Sequence, residues 1–178
     1  MNYQEIIEFW FEDIETKQWY KKDDVFDDLL RTRFLEIHKQ ISEGNCSEWR
    51  KYSEGTLAEI IVLDQFSRNM FRGSGDSFAY DSLALDLAKD AVLRKVDLDL
   101  TITKRSFLYM PYMHSEVLKD HDEALVLFSQ TGMEANLSFE HAHRAIIEKF
   151  GRFPHRNAVL CRASTDEEIM FLETNSGF

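Results

Sequence analysis

The chain has 178 residues, with 21 lysines and arginines against 32 aspartates and glutamates, a formal charge of −11 at neutral pH. This size suits a single domain spanning 1–178, and 14 Phe, 6 Tyr and 3 Trp supply enough apolar mass to fold without a covalent staple. The acidity repels phosphate backbones and argues against general nucleic-acid binding, and with no basic leader and no long apolar run neither a secretory signal nor a membrane span is expected.

Two prolines and seven glycines leave long uninterrupted segments with helical rather than alternating periodicity, so the fold class is all-α. Tyr3 to Phe11, carrying Ile6, Ile7, Phe9, Trp10 and Phe11, reads as a short buried helix, followed by Trp19 and Tyr20 in a loop. A long helix starts near Asp23 or Asp24, where acids complement the macrodipole, and ends at Gly44; its core stripe is Phe26, Leu30, Phe34, Ile37 and Ile41. From about Thr56 to Phe71 the apolar residues point every way, the pattern of a central, wrapped helix. A helix from about Ser77 to Lys95 follows, then one that starts at Thr103 and is interrupted at Pro111. Asp122 to Gln130 and Glu134 to Phe150 are further helices, and Ser164 with Glu167 forms a capping box for the last one. Helices of this length with short links suit stacked antiparallel helical hairpins.

Three segments hold residues that can do chemistry. On the central helix, Asp64 and Arg68 fall within about 40° of the apolar direction set by Leu57, Ile60 and Ile61, so they form an ion pair on a buried face. That pair either fixes helix packing or orients a ligand pocket, with Gln65, Asn69 and Arg72 extending the polarity around the helix end. Between Arg144 and Arg162 five basic residues face one acid, Glu148, in a chain that is otherwise strongly acidic. At its centre Gly151 closes one helix and Pro154 opens another, so that Arg152, His155, Arg156 and Asn157 surround a helix N-terminus suited to a phosphate or carboxylate. The alternative is that Arg152 and Arg156 are spent on carbonyls or acids of neighbouring helices, those of the N-terminal third included. The third segment, Phe107 to Glu116, breaks an apolar helix with Pro111 and could turn His114 and Glu116 toward a cleft.

The histidines do not have metal-ligand spacing. His141 and His143 lie about 200° apart on one helix, and His141 reads as surface, whereas His143 borders the core and could meet His155 in space. No HExxH, Gly-rich phosphate loop or G-x-S-x-G occurs, and Cys46 and Cys161 have no clustered partner, so neither metal nor cofactor is expected and a reducing, cytoplasmic setting fits.

The stretches LDQFSRNMFRGSGDSFAYD, FLYMPYMHSE and KFGRFPHRNAVLCRASTDEEIMFL closely resemble the bacterial family called domain of unknown function 924, over nearly the whole chain from the early FWF to the closing Phe178. The resemblance implies a tetratricopeptide-like, right-handed superhelix of helical hairpins and carries no established reaction. It also places Asp64, Gln65, Arg68, Asn69, Arg72, His114, Ser115, Glu116, His143, Arg152, His155, Arg156 and Asn157 on motif positions. The chain departs from the family pattern at Cys161, where glycine is usual, and at Ser67, where proline is usual.

Two functions are compatible with these residues. In the first, a helical binding scaffold holds an anionic small molecule or acidic peptide with Asp64, Arg68, Arg72, Arg152, His155, Arg156 and Asn157. In the second, a hydrolase-like enzyme acts on a phosphorylated or carboxylated substrate, with His155, His143, His114 or Glu116 in acid–base roles and arginines as clamps. A third possibility leaves every motif residue in the core; convergence of the histidines and arginines on one water-connected site separates the first two from it.

Overall fold

A computed structural model of the chain describes residues 1–175, so the closing Phe178 lies outside the described residues. The fold is all-α. α1 (Tyr3–Glu8) is opened by a capping box between Asn2 and Glu5 and runs into a π-helical turn at Phe9–Asp13. Trp19, expected in a loop, ends a 3-10 turn at Thr16–Trp19 and donates its indole N–H to the Trp10 carbonyl at 2.9 Å.

α2 (Asp24–Ser42) is capped by Asp23, whose carboxylate accepts from the Val25 and Phe26 amides. Its stripe of Phe26, Leu30, Phe34, Ile37 and Ile41 is buried as the periodicity required. The central unit begins at Ser53, three residues earlier than expected: α3 (Ser53–Ile61), a π-helical turn at Val62–Phe66 and α4 (Ser67–Met70) run on without a break. Gly55 allows α3 to start there, because a Cβ at this position would stand 2.1 Å from the Trp49 carbonyl oxygen. Every residue from Gly55 to Ser67 is buried.

The helix expected over Ser77–Lys95 is split into a 3-10 turn at Gly75–Phe78 and α5 (Asp81–Leu93). α6 (Ile102–Met113) passes through Pro111 without interruption. The proline sits in the last turn, and burial of all residues from Ser106 to Met113 outweighs its cost of about 3 kcal/mol. α7 (Leu118–Phe128) and α8 (Glu134–Phe150) follow, α8 ending on Gly151 at φ +68°. The last helix, α9 (Asp166–Thr174), is capped one residue later than expected, by Thr165 with Glu168; Glu167 pairs instead with Lys149.

Successive helices pack on one another, α5 on α6, α6 on α7 and α7 on α8, while α3 also touches α1, α5 and α6. Apolar side chains divide into a main core from Ile6 to Met133 and a smaller cluster of Ile146, Ile147 and Phe153, flanked by Phe150 and Phe171. Polar side chains fill the seam between the two.

Candidate functional site

The seam is built from four segments: the π turn with α4, the start of α5, the end of α6, and the loop after α8. Asp64 on the π turn is 1% exposed and accepts from Arg68 at 2.9 Å, from His114 Nδ1 at 2.7 Å and from Gln65 Nε2 at 2.6 Å. Arg68 grips Asp81, the first residue of α5, with two parallel bonds of 2.9 and 3.0 Å. Arg156 reaches the same carboxylate at 3.0 Å and donates to the His114 carbonyl at 2.9 Å. Its guanidinium lies between two aromatic faces, 4.4 Å from the Phe78 centroid and 4.7 Å from that of Phe153.

Three imidazoles gather around Phe153, His155 at 5.6 Å from its ring centre, His143 at 5.8 Å and His121 at 6.2 Å, and His114 lies 6.4 Å from His143. His143 donates Nδ1–H to the Phe139 carbonyl. The His155 ring makes no hydrogen bond to any of the described residues, and His114 and His155 are both partly exposed. Arg68, Asp81 and His114 keep side-chain exposures of 19%, 18% and 16%, so the seam opens to solvent on this side.

The electrostatics follow from burial and neighbours. Burial alone would raise Asp64, but Arg68 and His114 more than offset it and hold the carboxyl well below its usual range. Burial, reinforced by Arg68, lowers His114 toward its neutral form; burial also pushes His143 to about 3 and His155 to about 4, so those two imidazoles are uncharged at pH 7. Arg156 is pushed down to about 10, by burial and then by Arg68. Among the described residues, three guanidiniums (Arg68, Arg156, Arg162) balance three carboxylates (Asp64, Asp81, Glu116).

A second network clamps the loop after α8. Glu116 accepts the Phe153 amide and both ends of Arg162, and Arg162 Nε donates to Asn157. Asn157 donates to Ser164 and Glu168, and Arg152 pairs with Glu168, whose carboxyl that pairing holds at about 2. Beneath it, His121 lies fully buried between Glu140, at 2.7 Å, and the Ser115 carbonyl, to which Nε2–H donates at 2.8 Å.

Asp64, Arg68, His114, His143, His155 and Arg156 therefore meet. Glu116, Arg152 and Asn157 belong to the loop clamp beside them, where their polar atoms are committed. Arg72 is elsewhere, paired with Asp27 of α2, which also accepts from Asn69. The helix N-terminus expected at Pro154 is a three-residue 3-10 turn, so no helix dipole is available to an anion there. Arg152 and Arg156 do bind carbonyls and acids of neighbouring segments, Arg152 the Ala163 carbonyl and Glu168, Arg156 the His114 carbonyl and Asp81, but none of these acids belongs to the N-terminal third. Sequence reasoning missed Asp81, Phe78, Arg162 and the His121–Glu140 pair. Asp81 reads as an ordinary first-turn acid, and nothing local announces its two arginines.

Among the described residues no group of three or more His, Cys, Asp or Glu is arranged to hold a metal ion, and no helix is long and apolar enough to cross a membrane. Depressions of about 300 Å³ beside Asp27, Arg31 and Arg72, and of about 410 Å³ beside Val92, Tyr112 and Val126, lie away from the seam.

Fold and seam together define an all-α protein with a charge-balanced His–Arg–carboxylate cluster between two cores. The chain belongs to the family described as bacterial protein of unknown function (DUF924), whose model matches residues 6–176. It is similar to the solved structure of the protein of unknown function ATU0120 from Agrobacterium tumefaciens, at 35% identity over 97% of each chain and a TM-score of 0.92. No curated protein matches it.

Proposed function

We propose that the chain, as one all-α domain, is a binding scaffold for a small anionic molecule, taken at the seam by Arg68, His114, His155 and Arg156. A single observation carries this reading: basic groups from three separated segments converge where His114 and His155 are both partly exposed. A network serving only to hold the fold has no use for the His155 ring, which has no hydrogen-bond partner among the described residues, beside two guanidiniums. An acidic peptide would offer the same carboxylate chemistry. A cytoplasmic, reducing setting suits the free thiols of Cys46 and Cys161.

The test is a thermal-shift panel of acetate, benzoate, sulfate and inorganic phosphate on the wild type and on Arg156→Met. A ligand at about 100 times its Kd adds about 2.7 kcal/mol, a rise of about 5–10 °C at this chain length. A rise in the wild type that disappears in a folded variant supports the site; no rise with any anion refutes it.

One observation favours a second reading, acid–base catalysis. Asp64 takes the Nδ1–H of His114, which leaves Nε2 as the proton acceptor, and Arg68 and Gln65 keep the carboxylate from turning. Turnover of p-nitrophenyl esters or phosphates that falls by about 100-fold or more in His114→Gln would establish it.

A further inference from the structure

We propose that the seam selects monoanionic carboxylates and takes each one up together with one proton from solvent, which His155 carries. The inference rests on the anion-binding reading above and adds the ligand's charge class and its coupling to pH.

The argument begins with charge. Among the described residues, Arg68, Arg156 and Arg162 are matched one for one by Asp64, Asp81 and Glu116, so these groups are already neutral together when the imidazoles are uncharged. Bringing a monoanion into this half-buried seam leaves one negative charge uncompensated, and an unpaired charge at low dielectric is costly. One proton on one imidazole restores the balance. A dianion would still leave a charge over, which is why the match is to a carboxylate rather than to sulfate or doubly ionised phosphate.

Geometry picks the imidazole. His114 has its Nδ1–H committed to Asp64, itself satisfied by Arg68 and Gln65, and His143 has its Nδ1–H committed to the Phe139 carbonyl. His155 has neither nitrogen spent on any of the described residues, and its side chain is partly exposed. Its ring lies against Phe153 and 6.5 Å from Phe78, the same rings that sandwich Arg156, so an anion settling on the Arg156 and Arg68 face sits beside it. The charged groups acting on His155 are Arg156 on its own loop, Arg68 on α4 and Glu116 beyond the end of α6; the imidazoles facing it include His114 and, on α8, His143. The two arginines are what disfavour its charge after burial, and a bound anion cancels their effect there. The aromatic walls add a preference for a flat, apolar body behind the carboxylate.

The experiment is calorimetry of the full chain with benzoate and with sulfate, near pH 6 and pH 7.5, in two buffers of different ionisation enthalpy. Expected is benzoate binding that tightens as pH falls, approaching tenfold per pH unit, with more than half a proton taken up per benzoate near pH 6. Sulfate should bind at least about tenfold more weakly. Benzoate binding without proton uptake, or sulfate binding as tight as benzoate, overturns this inference while leaving an anion site standing. If neither anion binds, the anion-binding reading itself fails and takes the inference with it. His155→Asn should bind benzoate with no proton uptake; uptake that persists in this variant overturns the assignment. Should that variant unfold, the His155 ring ¹⁵N shifts of the wild type decide, moving to imidazolium values on benzoate addition if His155 carries the proton and staying neutral if it does not.

Discussion

Replacing Arg156 by methionine separates a residue kept for packing from one kept for a ligand. Arg156 is 6% exposed, and its Nε is sealed without an acceptor. The fall of its pKa to about 10 corresponds to roughly 3 kcal/mol against the charged form, with the Asp81 attraction already included. Against that stand a bond to the His114 carbonyl, worth about 1–2 kcal/mol, and two cation–π contacts of about 0.5–1 kcal/mol each. Methionine refills most of the slot between Phe78 and Phe153, and Asp81 keeps its two bonds from Arg68. The terms nearly cancel, so Arg156→Met should unfold within about 1 kcal/mol of the wild type, a Tm change of no more than about 4 °C by circular dichroism. It should also lose the anion-dependent rise in Tm. A loss of about 3–5 kcal/mol, the cost of breaking a buried pair that the fold needs, would refute the reasoning and make Arg156 a strut.

Three further outcomes are expected. His121→Ala strands Glu140, whose second oxygen already has no partner, and should lower stability by about 3–5 kcal/mol in urea unfolding; a loss below about 1 kcal/mol would show that the α7–α8 contact does not depend on the pair. Cys161→Gly should raise stability by about 0.5–1 kcal/mol, since Cys161 sits at φ +53°, and a fall in Tm would count against that strain. Stability should fall steadily below pH 6.5. Burial holds His38 at about 4, His143 at about 3 and His155 at about 4, so the unfolded chain binds protons that the folded chain refuses. That contribution is complete above the unfolded histidine pKa and is lost as pH drops toward the folded values, by about 3 kcal/mol at pH 5 after allowance for partial solvent contact. The depressed carboxyls of Asp64, Glu116 and Glu168 add to the loss only below about pH 4, and a Tm that is flat from pH 7 to 5 would contradict this accounting.

Local periodicity made some of this visible in the sequence. Asp64 and Arg68 are four residues apart on an apolar face, and helical spacing alone joins them as found. The buried stripe of α2 follows from the same arithmetic. What stayed hidden depends on contacts between distant residues. Asp81 gains its role from Arg68, 13 positions away, and from Arg156, 75 positions away. The loop after α8 is held by Glu116 acting on Arg162 and on the Phe153 amide, so Pro154 starts a 3-10 turn and no helix. Pro111 misled because its local cost was weighed without the burial that surrounds it.

The most direct test of the seam as an anion site is a side-chain ¹⁵N histidine spectrum of the labelled chain, titrated with benzoate. The account predicts saturable shifts at His114 and His155, with exposed His141 and buried His38 unmoved. Shifts absent at His114 and His155, or spread evenly over all six histidines, would contradict it.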